Sequence, residues 1–175
     1  MKTVRALGEV RLIARLRRRI GPTQGQGRAS RSTVLVGLGD DAAVLRAPTG
    51  RWRWLFASDM LVEGVHFRRR VVPAWQIGWK ALACNVSDIA AMGGVPRWAV
   101  VSLGLPPETP VPFVDGLYDG LMRCARRYGV AIVGGDTVRA PQVIVDVAIM
   151  GMVPPSHLVL RSGARVGDLL YVTGR

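Results

Sequence analysis

Cysteine, histidine and lysine are all scarce in this chain of 175 residues, and each scarcity removes a class of chemistry. The only cysteines, Cys84 and Cys124, stand forty residues apart, which excludes a disulfide scaffold and a paired-cysteine metal knuckle. The only histidines, His66 and His157, form no HExxH metalloprotease motif. Neither lysine, Lys2 or Lys80, follows glycine in a GK[ST] context, so there is no P-loop. Long apolar runs are missing as well. The most apolar stretch, Val143 to Val153, is too short to span a bilayer and carries Asp146. The first twenty residues are rich in arginine and lack the apolar segment of a secretory signal. What remains is 49% hydrophobic and 21% charged, enough to fill one ordinary core and too apolar for a disordered chain. These features predict a soluble protein of a reducing compartment without a membrane anchor.

Acidic side chains are outnumbered two to one, giving a net charge of +12. Residues 1–31 carry nine basic side chains against Glu9 alone, and the other 144 residues are closer to balance. Such a basic segment is suited to nucleic acid or acidic lipid. However, Val10, Ile13, Leu16 and Ile20 recur at helical spacing between the arginines, the pattern of an amphipathic helix with a solvated face. No aromatic side chain interleaves them for base stacking. Nucleic acid is therefore the disfavoured partner.

A helix over 7–20 is followed by the Gly-rich segment 21–27, whose composition predicts a flexible loop. Thr33 to Val36 suggests a strand, and residues 42–46 and 52–58 a hairpin around Pro48-Thr49-Gly50. Helices are expected over 74–92, stopped by Gly93-Gly94, and over 111–128, closed by Gly129. Further strands are expected at 99–105, 130–133, 143–153 and 169–173. The alternation predicts an α/β (α+β) fold: a mixed, mainly antiparallel sheet with helices packed on one face.

Nine of the twelve acidic residues are aspartates, several beside small residues or at expected strand ends. Asp40-Asp41 follow Gly39, Asp59 follows Leu55–Ser58, and Asp136 follows Gly134-Gly135. On the helix over 74–92, Asn85 and Asp88 share a face. Several carboxylates without histidine or cysteine partners suit a hard cation such as magnesium, calcium or manganese rather than zinc. Gly37-x-Gly39-x-x-Ala42 imitates a dinucleotide-binding turn. There, Asp40 and Asp41 would face the pyrophosphate, and like charges about 4 Å apart repel by roughly 4 kcal/mol at an effective dielectric constant of about 20. A strand is also expected next, where that motif needs a helix.

The strings Gly37-Leu38-Gly39-Asp40-Asp41-Ala42-Ala43-Val44-Leu45 and Ser58-Asp59-Met60-Leu61-Val62-Glu63-Gly64-Val65-His66-Phe67 resemble those of the thiamine-monophosphate kinase family. So do Lys80 to Gly93, Gly134-Gly135-Asp136-Thr137, Leu160-Arg161-Ser162-Gly163-Ala164 and Gly167-Asp168, in order and spacing along essentially the whole chain. The wider superfamily includes aminoimidazole ribonucleotide synthase, selenophosphate synthetase and a hydrogenase-maturation protein. Two alternatives stay open beside the kinase: another enzyme of that superfamily, or a non-catalytic basic binding module.

The resemblance implies the N-terminal domain of an aminoimidazole ribonucleotide synthase-like fold and ATP-dependent phosphorylation of thiamine phosphate to thiamine diphosphate. It implies several Mg2+ ions on Asp41, Asp59, Asp88 and Asp136, with Ser58 beside them. Gly135, Asp136 and Arg161 would lie at ATP, and His66 at the phosphorylated substrate. No catalytic general base is expected, because the attacking phosphate oxygen is already ionised. The resemblance also implies a cytoplasmic protein that homodimerises through its N-terminal domain. It commonly has serine or threonine where this chain has Ala57, so one metal contact would be lost or supplied by backbone. The expected organisation is a basic helix and loop over 1–31, an ATP/Mg-binding domain over 32–154, and from 155 the start of a linker to a second domain. That second domain would supply a further metal ligand and most thiamine contacts.

Overall fold

The computed structural model describes residues 8–20, 33–37, 39–169 and 171, apart from the side chains of Glu9 and Arg17. In chain order the elements are α1 (Glu9–Ile20), β1 (Val34–Val36), β2 (Ala43–Arg46), β3 (Arg53–Val62), α2 (Ala74–Ala91), β4 (Val95–Leu105), α3 (Val111–Tyr128), β5 (Ala131–Arg139) and β6 (Ile144–Val153). Two 3₁₀ turns follow, Pro155–His157 and Arg161–Gly163. The loop expected at 21–27 lies outside the described residues. Of the strand expected at 169–173, Leu169 and Tyr171 are in no strand, and the rest is outside the described residues. Among the described residues no helix is long and apolar enough to cross a membrane.

The six strands form one sheet in the order β1-β2-β3-β6-β4-β5, in which only β4 and β5 run parallel. A parallel pair needs a crossover, and α3 supplies it. The chain thus has the expected mixed, mainly antiparallel sheet. β6 alternates buried and half-buried residues along its whole length, with Val145, Val147, Ile149 and Val153 fully buried. This two-residue period places one face of the sheet under the helices and leaves the other open.

α2 buries Ile77, Gly78, Ala81, Leu82, Asn85, Val86 and Ile89, one stripe at helical spacing. α2 and α3 lie against each other through two glycines. A methyl group on Gly78 would fall 1.9 Å from the Leu117 carbonyl oxygen, and one on Gly120 would fall 1.8 Å from that of Trp75. α3 ends where Gly129 turns left-handed at φ 68° and the Val130 N–H reaches back to the Ala125 carbonyl. The apolar face expected on α1 is exposed, with Val10, Ile13, Leu16 and Ile20 all open to solvent.

Two strands outrun their expected ends. β3 continues through Asp59 to Val62 because β6 is long enough to pair with all of it, Asp59 opposite Val147 and Val62 opposite Ile144. β5 passes through Gly134-Gly135 to Arg139 because β4 pairs with it residue by residue as far as Leu105. Asp59 and Asp136 are therefore within strands and not at their ends.

Candidate functional site

The carboxylates gather where the β1–β2 turn, β3, α2 and the second 3₁₀ turn meet. Gly39 has φ 130°, a conformation open to glycine and strained for other residues, and it presents Asp40 and Asp41 to that junction. Asp59 shares the helix-facing side of β3 with the buried Leu55, Ala57 and Leu61. Its backbone N–H donates to Asn85 Oδ1 at 3.1 Å, while Asn85 Nδ2 donates to the Ala81 carbonyl at 3.0 Å. Asn85 is 0% exposed, the one buried polar side chain in the described core. It fixes α2 to β3 beside Asp59 and one turn before Asp88.

Asp88 registers the crowding. Burial first, then the Asp59 and Asp41 carboxylates, push its carboxyl up to about 6 against the opposing pull of Arg161. Arg161 is the cation of the cluster. Its guanidinium donates to Asp41, and its Nε stands 3.9 Å from Asp40. Its backbone N–H donates to both Asp40 oxygens, at 3.1 and 3.4 Å. The Asp40 side chain is only 7% exposed, and it seats the 3₁₀ turn that carries Arg161. Leu158 and Leu160 pack on the core, and the Val159 N–H donates to the Met92 carbonyl. The Asp41 contact holds the guanidinium proton above its ordinary range.

His66 lies on the turn after β3. The Val62 N–H donates to His66 Nδ1 at 3.0 Å, and Lys80 Nζ donates to the His66 carbonyl at 3.0 Å. The same turn is anchored by Glu63, which accepts from Arg69 Nε at 2.7 Å and from the Val143 N–H at 3.2 Å. Burial pushes the Glu63 carboxyl up, but these two donors outweigh it and leave it below the ordinary value.

The structure thus brings Asp41, Asp59, Asp88 and Arg161 together and sets His66 on a neighbouring turn. Ser58 and Asp136 are elsewhere. Ser58 alternates with Asp59 and faces the open side of the sheet, where its Oγ donates to Asp146 Oδ1 at 3.1 Å. Asp136 pairs with Ser102, which also pairs with Asp146, placing all three on that open side. The Asp136 side chain accepts from the Thr137 N–H at 2.8 Å. Gly135 leaves no room for a side chain, since a methyl group there would fall 1.8 Å from the Val101 carbonyl oxygen. Ala57 is buried in the core on the helix side.

Among the described residues no three His, Cys, Asp or Glu side chains converge into a ready-made ion cage. The donor set is nevertheless chemically right for magnesium: oxygen ligands only, with more carboxylates than the single guanidinium neutralises. A cavity of about 530 Å³ is lined by Pro106, Pro107, Glu108, Arg139, Ala140 and Pro141, none of them a residue of this cluster.

Lys80 and Asp146 were not singled out by sequence reasoning as site residues, while Asp40 and Asn85 were noted beside Asp41 and Asp88 without a role of their own. Asp146 left a signal, a charge at an open-face position of the β6 alternation.

Comparison with known proteins places this chain in a family. The family model described as AIR synthase related protein, N-terminal domain, matches residues 39–153. A thiamine-monophosphate kinase of Synechococcus elongatus is 41% identical over 136 residues, covering 78% of this chain and 41% of that protein. One from Mycobacterium tuberculosis is 42% identical over 172 residues, covering 98% and 49%. The solved structure described as AaThiL complexed with AMPPCP and TMP superposes with a TM-score of 0.82 at 32% identity, over 96% of this chain and 48% of that one. The chain spans about half the length of the curated relatives it matches.

Proposed function

The chain belongs to the AIR synthase related protein N-terminal domain family, and from that premise we propose that it is the nucleotide- and magnesium-binding half of a cytoplasmic thiamine-phosphate kinase. The reaction is ATP-dependent transfer of a phosphoryl group to thiamine phosphate, giving thiamine diphosphate. The relatives named thiamine-monophosphate kinase and the solved relative carrying AMPPCP and TMP support the reaction class.

The observation that carries the reading is that Arg161 donates to Asp41 while Asp59 and Asp41 both act on the Asp88 carboxyl, four charges from four separate parts of the chain. Asp41, Asp59 and Asp88 would hold magnesium, which when bound supplies positive charge to polyphosphate and acceptor. Arg161 turns a guanidinium toward the same place and contacts the nucleotide. His66 presents its ring to the acceptor phosphate. Because the attacking oxygen is already ionised, none of these residues has to remove a proton. The protein contributes orientation and charge neutralisation. Ser58 and Asp136, on the open side of the sheet, stand outside this cluster.

The open sheet face suits the proposed homodimer. Phe56, Met60 and Trp98 are 48%, 51% and 42% exposed on it, an apolar surface of the kind that marks an interaction site. The function is tested by incubating the full-length protein with ATP, Mg2+ and thiamine phosphate. Formation of thiamine diphosphate with stoichiometric ADP is expected, and no product at any magnesium concentration would overturn the assignment.

A further inference from the structure

The chain has twenty-two arginines and two lysines, so a lysine at position 80 departs from its own habit. Lys80 is on the exposed side of α2, and its ammonium donates to the His66 carbonyl at 3.0 Å. An ammonium has three N–H donors, so this bond leaves two for another acceptor. A guanidinium is planar and forked, a poorer fit for capping one carbonyl while serving a second anion.

The turn it caps is tightly specified. The His66 N–H returns to the Val62 carbonyl, the Gly64 N–H donates to the Phe67 carbonyl, and Phe67 is buried. Because His66 Nδ1 accepts from the Val62 N–H, a neutral ring carries its proton on Nε2 and is a donor at that edge. Lys80, Cys84 and Asp88 follow one another at four-residue spacing along one stripe of α2. The Cys84 thiol feels Asp59, Lys80 and Asp88 together. The stripe therefore joins a cationic end at Lys80 to an anionic end about 12 Å along the helix at Asp88.

We propose that Lys80 is a further contact of the phosphorylated acceptor, acting with His66 Nε2–H as a two-donor seat for its phosphate monoester. This rests on the phosphotransfer reading above. The seat presents two donors to the acceptor's phosphate on the same helix stripe that carries Asp88. It also distinguishes a phosphorylated acceptor from its dephosphorylated counterpart, which offers those donors nothing.

The experiment uses the full-length protein and its Lys80→Met and Lys80→Arg variants, with KM for thiamine phosphate, KM for ATP, kcat and thermal midpoint measured for each. Equilibrium binding of thiamine phosphate without ATP is measured alongside. Lys80→Met is expected to raise KM and the dissociation constant for thiamine phosphate about tenfold or more, the scale of a lost charge-assisted hydrogen bond. KM for ATP and kcat should stay at wild-type values, and the thermal midpoint should fall by about a few degrees at most as the cap on the His66 carbonyl is lost. Lys80→Arg, which keeps the charge but not the fit to both acceptors, should recover only part of the loss. An active wild type whose Lys80→Met variant keeps its affinity for thiamine phosphate, or loses affinity for ATP equally, overturns this inference alone. A wild type inert toward thiamine phosphate overturns the proposed function and this inference with it.

Discussion

The Arg161 guanidinium rests on the Asp41 carboxylate across 120 residues of chain. It occupies a carboxylate that the family resemblance assigns to magnesium. Two cations competing for one anion repel each other, so cation loading and the position of Arg161 are linked. Arg161→Gln should bind Mn2+ severalfold more tightly than wild type without nucleotide, and ATP severalfold more weakly. Titration calorimetry reads both. Equal or weaker Mn2+ binding by the variant would contradict the linkage.

Asp88 predicts a pH dependence whose sign is fixed. Its carboxyl is raised from 3.8 to about 6, chiefly by burial and then by Asp59 and Asp41. The folded protein thus holds this proton more tightly than the unfolded chain does. The associated stability is fully present below about pH 4 and lost as pH rises through about 6. In chelator, Asp88→Asn should raise the thermal midpoint at pH 7 and flatten its decline between pH 4 and 6. Parallel pH profiles for the two proteins would refute this.

Asn85 is the hinge between packing and site. Asn85→Ala leaves the Asp59 N–H and the Ala81 carbonyl without their side-chain partner, and should cost about 1–3 kcal/mol in denaturant unfolding. It should also weaken Mg2+ binding, because Asp59 loses its fixed position. Unchanged unfolding would show that water replaces the amide at no cost.

Much of this architecture was legible because its signals are local. Pro110 and Gly129 bracket α3 at its observed limits, and the two-residue period of 144–153 marks β6. Gly134-Gly135 misled for the same reason. Glycine is a stop signal in isolation, yet pairing with β4 carries β5 past it. At the site, composition pointed to hard-cation chemistry, and family motifs nominated Asp41, Asp59, Asp88 and Arg161. What neither showed was which face each residue takes. Ser58 and Asp59 are neighbours in sequence and lie on opposite sides of a sheet, a consequence of pleating that becomes visible once Leu55, Ala57 and Leu61 are known to be buried. The Lys80–His66 and Arg161–Asp40 contacts exist only because separate elements pack, and no local pattern announces them.

The open face predicts an oligomer. Phe56→Glu or Trp98→Glu places a charge among Met60, Val100 and Met150 on that side of the sheet. Sedimentation should show a dimer for wild type and a monomer for either variant, with the secondary-structure spectrum unchanged. A wild type that sediments as a monomer at micromolar concentration would contradict the dimer.

The most direct measurement is magnesium-dependent ATP binding by wild type and by the Asp41→Asn, Asp88→Asn double variant. Wild type should bind ATP only with Mg2+ present, and the double variant should show no magnesium-dependent binding while still unfolding cooperatively. Equal ATP affinity in the two proteins, with or without magnesium, would show that these carboxylates do not form the cation site.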